Sequence, residues 1–344
     1  MAPQTSKEYY LPEQGKGYND FQTREVPIPK PKADEVLVKV HAVSLQYRDL
    51  AITKGTWDVG VRENIIPCSD MAGEVISVGV DVKDWKAGDR VCSNFSTDHL
   101  AGPPTPETVA TSLGGESDGV LVQYRTFPAH SLVKIPSHLN YVQASTLPCA
   151  ALTAYNALLG GVNPLRAGDY VVVLGTGGVS MQSASGAVVI ATSSSDEKLQ
   201  IAEKLGAKHL INYKKTPDWD EEVLKITGGR GAEHVVEVGG AGTLPKSLAS
   251  VRHGGNVPLI GFIASNDSKD DTILTIITKA IDVRGIYIGS VTQFKEMNRL
   301  IEANPDKTVP LVDKVFPYED VISAYAHLES QKHVGKVVIE VAKA

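Results

Sequence analysis

The sequence predicts an α/β protein of two domains, in which a β-rich domain accompanies a doubly wound parallel sheet. Two observations support this fold class. The first third alternates apolar and polar residues in short runs, and the middle holds short, wholly apolar runs separated by helical stretches. The 344 residues are enough for two domains of ordinary size. We place residues 1–132 and 293–344 in the β-rich domain and residues 133–292 in the parallel-sheet domain.

Composition and charge exclude several classes of protein. The formal net charge is −6 and no dense Lys/Arg run occurs, so nucleic-acid binding is not expected. No stretch approaches the ~18 consecutive apolar residues of a membrane span, and the N-terminal segment lacks the apolar core of a secretory signal. Three well-separated cysteines, Cys68, Cys92 and Cys149, argue against a disulfide framework. They favour a reducing compartment, and we therefore expect a cytoplasmic protein.

The first domain consists mainly of short strands. The alternation that is typical of half-buried strands is found in four segments, with Gly and Asp at the turns between them: residues 34–41, 72–79, 89–92 and 121–124. Prolines in residues 101–106 cannot donate ladder hydrogen bonds, so this segment is predicted to be a loop.

The second domain begins with a predicted helix at residues 142–159. Wholly apolar runs, typical of strands covered on both faces, follow at 170–174, 187–191, 234–238 and 257–260. Helices are predicted at 197–205 and 220–227, each followed by glycine at the position of a C-terminal cap. After Gly289 the pattern is helix, loop, helix and a strand at 337–341, which we expect to rejoin the first domain.

A glycine-rich turn, Gly175-Thr-Gly-Gly-Val-Ser180, directly follows the first apolar strand. Glycines here permit a tight turn and let backbone N–H groups approach a pyrophosphate at a helix N-terminus. An ordinary strand-to-helix turn is the alternative. The strand before it and the helical pattern after it favour a dinucleotide site, as in a Rossmann domain.

The end of the second apolar strand indicates which dinucleotide is bound. An NAD site needs a carboxylate there for the ribose 2′-OH, whereas this chain has the hydroxyls of Ser193 and Ser194, followed by Lys198. Such groups suit a 2′-phosphate, and Tyr213 can close the pocket, so we predict NADPH. The alternative is that the serines cap a helix and the lysine is solvated. Asp196 lies close by and counts against a phosphate.

The connection between the first two apolar strands is unusually short. Only residues 175–186 separate them, which meets the minimum of about a dozen residues for a parallel crossover. We therefore expect a truncated helix after the glycine-rich turn, and this leaves the affinity for the cofactor open.

Taken in chain order, several motifs carry a family resemblance. They are Leu147-Pro-Cys-Ala-Ala-Leu-Thr-Ala-Tyr155, the glycine-rich turn, Ala191-Thr-Ser-Ser-Ser-Asp-Glu-Lys198, Val238-Gly-Gly240 and His333-Val-Gly-Lys-Val-Val338. Together they resemble the medium-chain dehydrogenase/reductase superfamily, in its zinc-independent, quinone-oxidoreductase-like branch. The resemblance covers nearly the whole chain. It implies a GroES-like catalytic domain and a Rossmann domain, with the active site in the cleft between them and, usually, a homodimer.

The ligand positions of the zinc-dependent members are changed in this chain. Gln46 and Tyr47 stand where the family has Cys-His, and Ser69-Asp70 replace His-Glu, so that Cys149 alone matches a ligand position. Because tetrahedral zinc needs several N and S ligands, we predict no metal. Cys149 is then expected to be a small buried apolar residue.

Without zinc, another group must stabilise charge on a carbonyl or quinone oxygen. Tyr47 is the first candidate, because its hydroxyl can donate a hydrogen bond and a proton. Gln46 can donate through its amide, and Asp49 can orient its neighbours. The alternative is that Tyr47 packs as an amphipathic residue and Asp49 is a helix N-cap or a salt-bridge partner.

The resemblance also implies contacts with the cofactor. Those expected to bind the nucleotide are Thr153, Gly177, Gly178, Val179, Ser194, Lys198 and Tyr213, and those expected near the nicotinamide are Val238, Gly261, Phe262, Ile263, Ile288 and Ser290. The apolar run Gly285–Gly289 is expected to be an edge strand that pairs across a dimer, or else an internal edge strand.

We therefore expect an NADPH-dependent reductase of quinones or α,β-unsaturated carbonyls. A metal-free alcohol/ketone oxidoreductase is the second hypothesis. A nucleotide-binding relative without turnover is the third, because of the short crossover. The substrate, a small carbonyl or quinone in the first hypothesis, is not determined by the sequence.

Overall fold

A computed structural model describes residues 4–57, 60–175, 186–261 and 272–343. The chain forms two compact units, Met1–Leu152 with Ile288–Ala344, and Thr153–Tyr287. The sequence alone places these boundaries near residues 132 and 293. Residues 133–152 lie with the first unit because their helical turns pack on its strands. No helix in the described part of the chain is long and apolar enough to cross a membrane.

The strands are numbered in chain order. They are β1 (Thr5–Tyr10), β2 (Gln22–Pro27), β3 (Glu35–Ser44), β4 (Asp70–Val78), β5 (Arg90–Ser93), β6 (Tyr124–Pro128), β7 (Leu132–Lys134), β8 (Tyr170–Leu174), β9 (Val188–Ser193), β10 (His209–Asn212), β11 (Ala232–Val236), β12 (Val251–Leu259), β13 (Asp282–Gly285), β14 (Val312–Pro317) and β15 (Lys336–Glu340).

The helices of the described residues are numbered in the same way. They are α1 (Tyr47–Thr53), α2 (Pro106–Val109), α3 (Tyr141–Ala144), α4 (Leu152–Leu159), α5 (Asp196–Lys204), α6 (Trp219–Ile226), α7 (Leu244–Ser250), α8 (Thr272–Thr278), α9 (Val291–Ala303) and α10 (Val321–Glu329), with a π-helical turn at Leu147–Ala151 between α3 and α4.

The first unit is built on a mixed seven-stranded sheet. Its strand order is β14-β15-β3-β4-β5-β7, and β6 also pairs with β3. Strands β14 and β15 are parallel, and the other pairs are antiparallel. The C-terminal strand β15 lies beside β3, so the chain rejoins its first domain, as the sequence predicts. This pairing brings the start of β15 next to the end of β3.

The second unit contains a six-stranded, wholly parallel sheet in the order β10-β9-β8-β11-β12-β13. Counted from β8, this is the 3-2-1-4-5-6 order of a doubly wound nucleotide-binding sheet. Alternate residues of β8 enter two separate apolar clusters, Val172 in one and Val171 and Val173 in the other. The apolar run is therefore continuous because both faces of the strand are buried, which confirms the predicted parallel sheet.

Three local predictions are wrong in their bounds. The predicted helix 142–159 is divided into α3, a π-helical turn and α4, and Pro148, which lacks an N–H, lies in that turn. The strand predicted at 121–124 begins only at Tyr124. The edge strand predicted at 285–289 is found at 282–285 as β13, because Ile288 has a φ of 51°, which is incompatible with an extended strand.

Candidate active site

In the second unit, the strand order reverses between β8 and β11, and ligands of such sheets bind beyond the carboxyl ends of the strands at that point. Gly175 is the first residue after β8 and has a φ of 87°. Its N–H donates to the Thr192 carbonyl over 3.0 Å, and a Cβ placed on it would have no atom within 4 Å. The position therefore needs glycine for its backbone angle, and the space beside it is open.

The end of β9 presents hydroxyl groups at the same edge. Ser193 is buried, and its Oγ accepts a hydrogen bond from the Ser195 N–H over 3.3 Å. Ser195 caps α5 through the Lys198 N–H, so one serine of this run has the capping role that was the alternative interpretation. The N–H of Tyr213 donates to the Ser193 carbonyl over 3.1 Å, and its side chain is exposed.

The nearby acid Asp196 is already paired. One carboxylate oxygen accepts from Asn212 Nδ2 over 2.6 Å, and the other accepts from the Lys215 ammonium. The hydrogen bonds from Lys215 and Asn212 lower the pKa of this carboxyl group. Its negative charge is thus compensated locally, which weakens the objection it raised to a 2′-phosphate.

A buried carboxylate, Glu237, shapes the loop after β11. Its Oε1 accepts from the N–H groups of Gly239 and Gly240 over 2.7 and 2.8 Å and from Thr243 Oγ1 over 2.6 Å, while Oε2 accepts from Ser247 Oγ over 2.5 Å. Four donors around one buried acid hold the backbone of Val238 in place. Glu237 could not be singled out from the sequence, where it looks like a polar interruption of an apolar strand.

Gly261, after β12, lies against this loop. A Cβ added to it would be 2.8 Å from the carbonyl carbon of Val238, and closer still to the carbonyl oxygen. Two residues that the resemblance assigns to the nicotinamide, Val238 and Gly261, therefore meet backbone to backbone at the edge of the sheet.

Thr153 carries an orphaned polar atom. The residue is 3% exposed, and its Oγ1 is buried without a hydrogen-bond partner in the described chain. A buried hydroxyl without a partner is costly, so it marks a place where a ligand with a polar group would fit. The predicted contacts Gly177, Gly178, Val179, Phe262 and Ile263, and most of the short crossover, lie outside the described residues.

In the first unit, Gln46 stands at the centre of a buried polar network. Its Nε2 donates to Asp70 Oδ2 over 2.7 Å, and its Oε1 accepts from Lys336 Nζ over 2.7 Å. The same ammonium donates to the Leu45 carbonyl over 2.8 Å. Asp70 also accepts from Ser69 Oγ over 2.6 Å and from the Cys149 N–H over 2.9 Å. The end of β3 and the starts of β4 and β15 meet here.

The ionisable groups of this network have shifted pKa values. Burial raises the pKa of Asp70 to about 6, although the Lys336 ammonium opposes the shift. Burial lowers the pKa of Lys336, and the neighbouring Asp70 opposes that shift. Burial likewise raises the pKa of the Cys149 thiol. Near neutral pH, Asp70 is therefore mainly a carboxylate and Cys149 a neutral thiol.

Asp49 lies in the first turn of α1, and its Oδ2 accepts from the Gln46 N–H over 2.7 Å. Its other oxygen is buried without a partner in the described chain, and burial raises the pKa of Asp49 to about 7. The contact matches the helix-capping alternative. It also means that Asp49 orients the backbone of Gln46.

Tyr47, the first residue of α1, is 43% exposed, and its hydroxyl bonds to none of the described residues. Ser290 is buried and caps α9 by accepting from the Gln293 N–H over 3.3 Å. Ile288, two residues earlier, has a positive φ that is rare for a β-branched residue, and such strain is found most often near functional sites.

Lys336 is the second residue that the sequence analysis missed as a site residue. It is part of the C-terminal His-Val-Gly-Lys motif, so the signal was present. Nothing in the sequence, however, shows that this lysine is buried, and the pairing of β15 with β3 is what brings it to Gln46.

The comparisons with known proteins agree with the fold. Residues 32–137 match a family model described as an alcohol dehydrogenase GroES-like domain, and residues 173–303 match one described as a zinc-binding dehydrogenase. A zinc-type alcohol dehydrogenase-like protein of Schizosaccharomyces pombe is 44% identical, over 97% of this chain and 99% of that protein. An alcohol dehydrogenase of Geobacillus stearothermophilus is 28% identical, over 93% and 96% of the two chains.

Solved structures give the same result. A candidate alcohol dehydrogenase of Sinorhizobium meliloti has a TM-score of 0.90 and 37% identity, over 99% of this chain and all of that one. An NAD-dependent alcohol dehydrogenase has a TM-score of 0.86 and 27% identity, over 98% and 100% of the two chains.

Since the names of some relatives refer to zinc, the donor set of this chain can be tested against that ion. Gln46 uses its amide oxygen on Lys336, and Asp70 uses both oxygens on protein donors, so that Cys149 is left as a single sulfur ligand, whereas tetrahedral zinc needs several N and S ligands. Among the described residues no group of three His, Cys, Asp or Glu side chains is arranged to hold a metal. The residues present do not fit a zinc ion.

Proposed function

This chain belongs to the medium-chain dehydrogenase/reductase superfamily and is an alcohol dehydrogenase-like oxidoreductase, and we propose that it uses NADPH to reduce a quinone or an α,β-unsaturated carbonyl without zinc. The observation that carries the proposal is the buried Gln46–Asp70–Lys336 network, which supplies polar groups where a zinc enzyme has metal ligands.

The choice of NADPH rests on the edge of β9. Ser193, Ser194 and Lys198 lie there, and the nearest acid, Asp196, is paired with Asn212 and Lys215. Hydroxyl and ammonium groups favour a 2′-phosphate, and a compensated carboxylate opposes it less than a free one. Thr153, Gly175, Val238 and Gly261 would hold other parts of the nucleotide.

When bound, NADPH would supply the hydride, which is the cofactor's own chemistry. The protein would bind and orient the cofactor and the substrate, and it would polarise the substrate oxygen. Gln46 has one Nε2 hydrogen that no described residue accepts, and it can donate this hydrogen to a substrate oxygen. The exposed Tyr47 hydroxyl can donate a proton to the same class of oxygen, and Asp49 fixes the Gln46 backbone.

A metal-free alcohol/ketone oxidoreductase is the second candidate, because the Schizosaccharomyces pombe and Sinorhizobium meliloti relatives are named after alcohol dehydrogenases. The two candidates differ in substrate, and the same fold and polar groups serve both.

The test is a fluorescence titration of the purified full-length protein with NADPH and NADH, followed by steady-state assays with quinones, enones, ketones and alcohols. We expect at least tenfold tighter binding of NADPH and turnover of a quinone or enone after exhaustive dialysis against a chelator. Turnover of alcohols or ketones alone would support the second candidate. Nucleotide binding without turnover of any substrate would favour the nucleotide-binding relative without turnover, and binding of neither nucleotide would refute all three hypotheses.

A further inference from the structure

A cavity opens in the second unit at the amino ends of its parallel strands. It has a volume of about 740 Å³, and residues at the starts of β8, β11 and β12 border it. Gly175 and Gly261 lie just beyond the carboxyl ends of β8 and β12, where the nucleotide is expected. Because β8 has five residues, roughly 15 Å of strand separates the two ends of the sheet. The cavity is therefore distinct from the proposed cofactor site.

Polar and charged groups line almost all of this cavity. Among its described lining residues only Pro164 and Gly229 lack a polar side-chain group. The charged ones are three arginines and two acids: Arg166, Arg230, Arg252, Asp169 and Glu233. Three positive charges against two negative ones leave the wall net positive, which favours an anion. The volume is within the range of ~300–1,000 Å³ that is typical of small-molecule sites.

Two of the guanidinium groups share one carboxylate oxygen. Glu233 Oε1 lies 2.6 Å from Arg230 Nη1 and 3.3 Å from Arg252 Nε, and Oε2 accepts from the Tyr170 N–H over 2.8 Å. The carboxylate is buried, whereas both arginine side chains reach solvent. One negative charge cannot compensate two positive ones, and N–H groups remain on both guanidiniums for another acceptor.

A bulge in β12 brings Arg252 to this position. Where β11 advances by two residues between paired positions, β12 advances by five, so that residues 252–255 loop out of the ladder. Gly231 lies directly against the loop, because a Cβ on it would be 2.7 Å from the Arg252 backbone nitrogen. Bulges redirect side chains and are frequent beside functional sites. This one directs a guanidinium back over the amino end of β11.

His234 adds a buried polar group that lacks a partner. The residue is 2% exposed, and its Nδ1 has no hydrogen-bond partner among the described residues. Nε2 is 3.8 Å from Asp169 Oδ2, which is beyond hydrogen-bond distance. Burial lowers the pKa of this imidazole, so near pH 7 the ring is neutral and offers one donor and one acceptor. A buried polar ring without a partner is costly, and here it lines a cavity that can hold a polar ligand.

Arg166 provides the third guanidinium. Its backbone N–H donates to Asp169 Oδ2 over 2.8 Å, while its side chain is exposed and bonds to none of the residues that the structure describes. Guanidinium groups bind phosphate and carboxylate through paired N–H donors. Three of them match the three terminal oxygens and nearly double negative charge of a phosphate monoester better than the two oxygens and single charge of a carboxylate.

We propose that this cavity binds a small, hydrophilic phosphate monoester, whose phosphate is held by the three arginines and whose remaining polar groups bond to His234. The ligand would occupy the amino ends of the same strands whose carboxyl ends are expected to hold the nucleotide. This inference does not rest on the proposed function, and its tests need no turnover.

Isothermal titration calorimetry of the full-length protein with glycerol 3-phosphate is the first test. We expect binding by the wild type and about tenfold weaker binding by Arg166→Gln, which loses one charged donor pair. Lys198→Ala is the matched control, since it removes a positive charge at the carboxyl ends of the strands, and it should bind the ester as the wild type does. No binding by the wild type would overturn the proposal. So would a loss of binding in Lys198→Ala without a loss in Arg166→Gln.

Three related solutes test the chemical class of the ligand. Glycerol should not bind, because it lacks the charge. Glycerate, which carries a carboxylate in place of the phosphate, and inorganic phosphate, which leaves most of the cavity empty, should each bind about tenfold more weakly than the ester. Equal affinity for glycerate would overturn the choice of phosphate. Equal affinity for inorganic phosphate would mean an adventitious ion only.

Chemical modification locates the site in the wild-type protein, where no substitution can disturb folding. Phenylglyoxal reacts with accessible guanidinium groups, and mass spectrometry of peptides gives the rate at each arginine. We expect saturating glycerol 3-phosphate to slow the reaction of Arg166 and Arg230 about tenfold and to leave unchanged that of Arg299, an exposed arginine of the first unit. Equal rates at Arg166 and Arg230 with and without the ester would overturn the proposal.

Discussion

Replacing Gly261 by alanine tests whether the close approach of β11 and β12 shapes the nucleotide site. The added Cβ would be 2.8 Å from the Val238 carbonyl carbon, and ordinary contacts of a Cβ begin near 3.4 Å. The Val238 carbonyl oxygen would be closer still, and backbone, unlike a side chain, cannot rotate away, so the two backbone segments would have to separate by more than about 0.6 Å. Gly285, at the end of the neighbouring strand β13, offers a control, since a Cβ there meets nothing within 4 Å.

The cost can be estimated from the contacts that the shift would strain. The Ile260 and Gly261 N–H groups both donate to the Glu237 carbonyl, over 2.8 and 3.4 Å. Weakening two hydrogen bonds costs about 1 kcal/mol, and overpacking adds about 2 kcal/mol. We expect Gly261→Ala to destabilise the protein by about 3 kcal/mol, a fall in melting temperature of roughly 10 °C.

Differential scanning calorimetry and NADPH titration measure the two consequences. We expect Gly261→Ala to melt earlier and to bind NADPH at least tenfold more weakly, because Val238 moves with the strand end. Gly285→Ala should match the wild type in both measurements. A Gly261→Ala protein with an unchanged melting temperature and unchanged affinity would show that the tight approach neither holds the sheet edge nor shapes the site.

Three further predictions concern individual polar groups. Thr153→Val removes a buried hydroxyl that has no partner among the described residues, so calorimetry should show unchanged or slightly raised stability, while titration shows about tenfold weaker NADPH binding; equal affinity would exclude a contact with the nucleotide. Lys198→Ala should weaken NADPH about tenfold and leave NADH unchanged in the same titration; equal losses would refute a 2′-phosphate role. Asp49 has a folded pKa of about 7, above the ordinary value of ~3.9. The contribution of Asp49 to the free energy of unfolding is therefore fully present below about pH 4. It is lost as pH rises to about 7, by at most ~1.4 kcal/mol per pH unit. Measured by urea unfolding, Asp49→Asn should lose less stability than the wild type over this pH range. An equal dependence of stability on pH in the two proteins would contradict the raised pKa.

Much of the fold could be predicted from the sequence because its signals are local. The run Tyr170–Leu174 is apolar at nearly every position, and it is a strand covered on both faces. The helix predicted at 142–159 was wrong in its continuity, since the π-helical turn with Pro148 depends on packing against β4 and β5. The edge strand was wrong in its bounds because the backbone angle of Ile288 is set by tertiary structure.

The candidate site was only partly predictable. Gln46, Tyr47 and Asp49 lie in one short segment of the sequence, so a single motif contains all three. The hydrogen bonds show that Gln46 and Asp49 are linked, which a sequence spacing of three suggests. Glu237 and Lys336 were missed because each looks like a polar interruption of a strand, and only burial distinguishes them from solvated residues.

One charged group among the residues at the zinc-ligand positions is buried. Asp70, in the Ser69-Asp70 pair that stands where the family has His-Glu, is buried, and its carboxylate accepts hydrogen bonds from Ser69, Gln46 and the Cys149 N–H. Gln46 in turn accepts a hydrogen bond from Lys336, which is 290 residues away in sequence, on a strand that topology places beside the site. A search of ligand motifs can therefore detect that zinc ligands are missing. It cannot identify what bonds to Gln46, because that requires the pairing of β15 with β3.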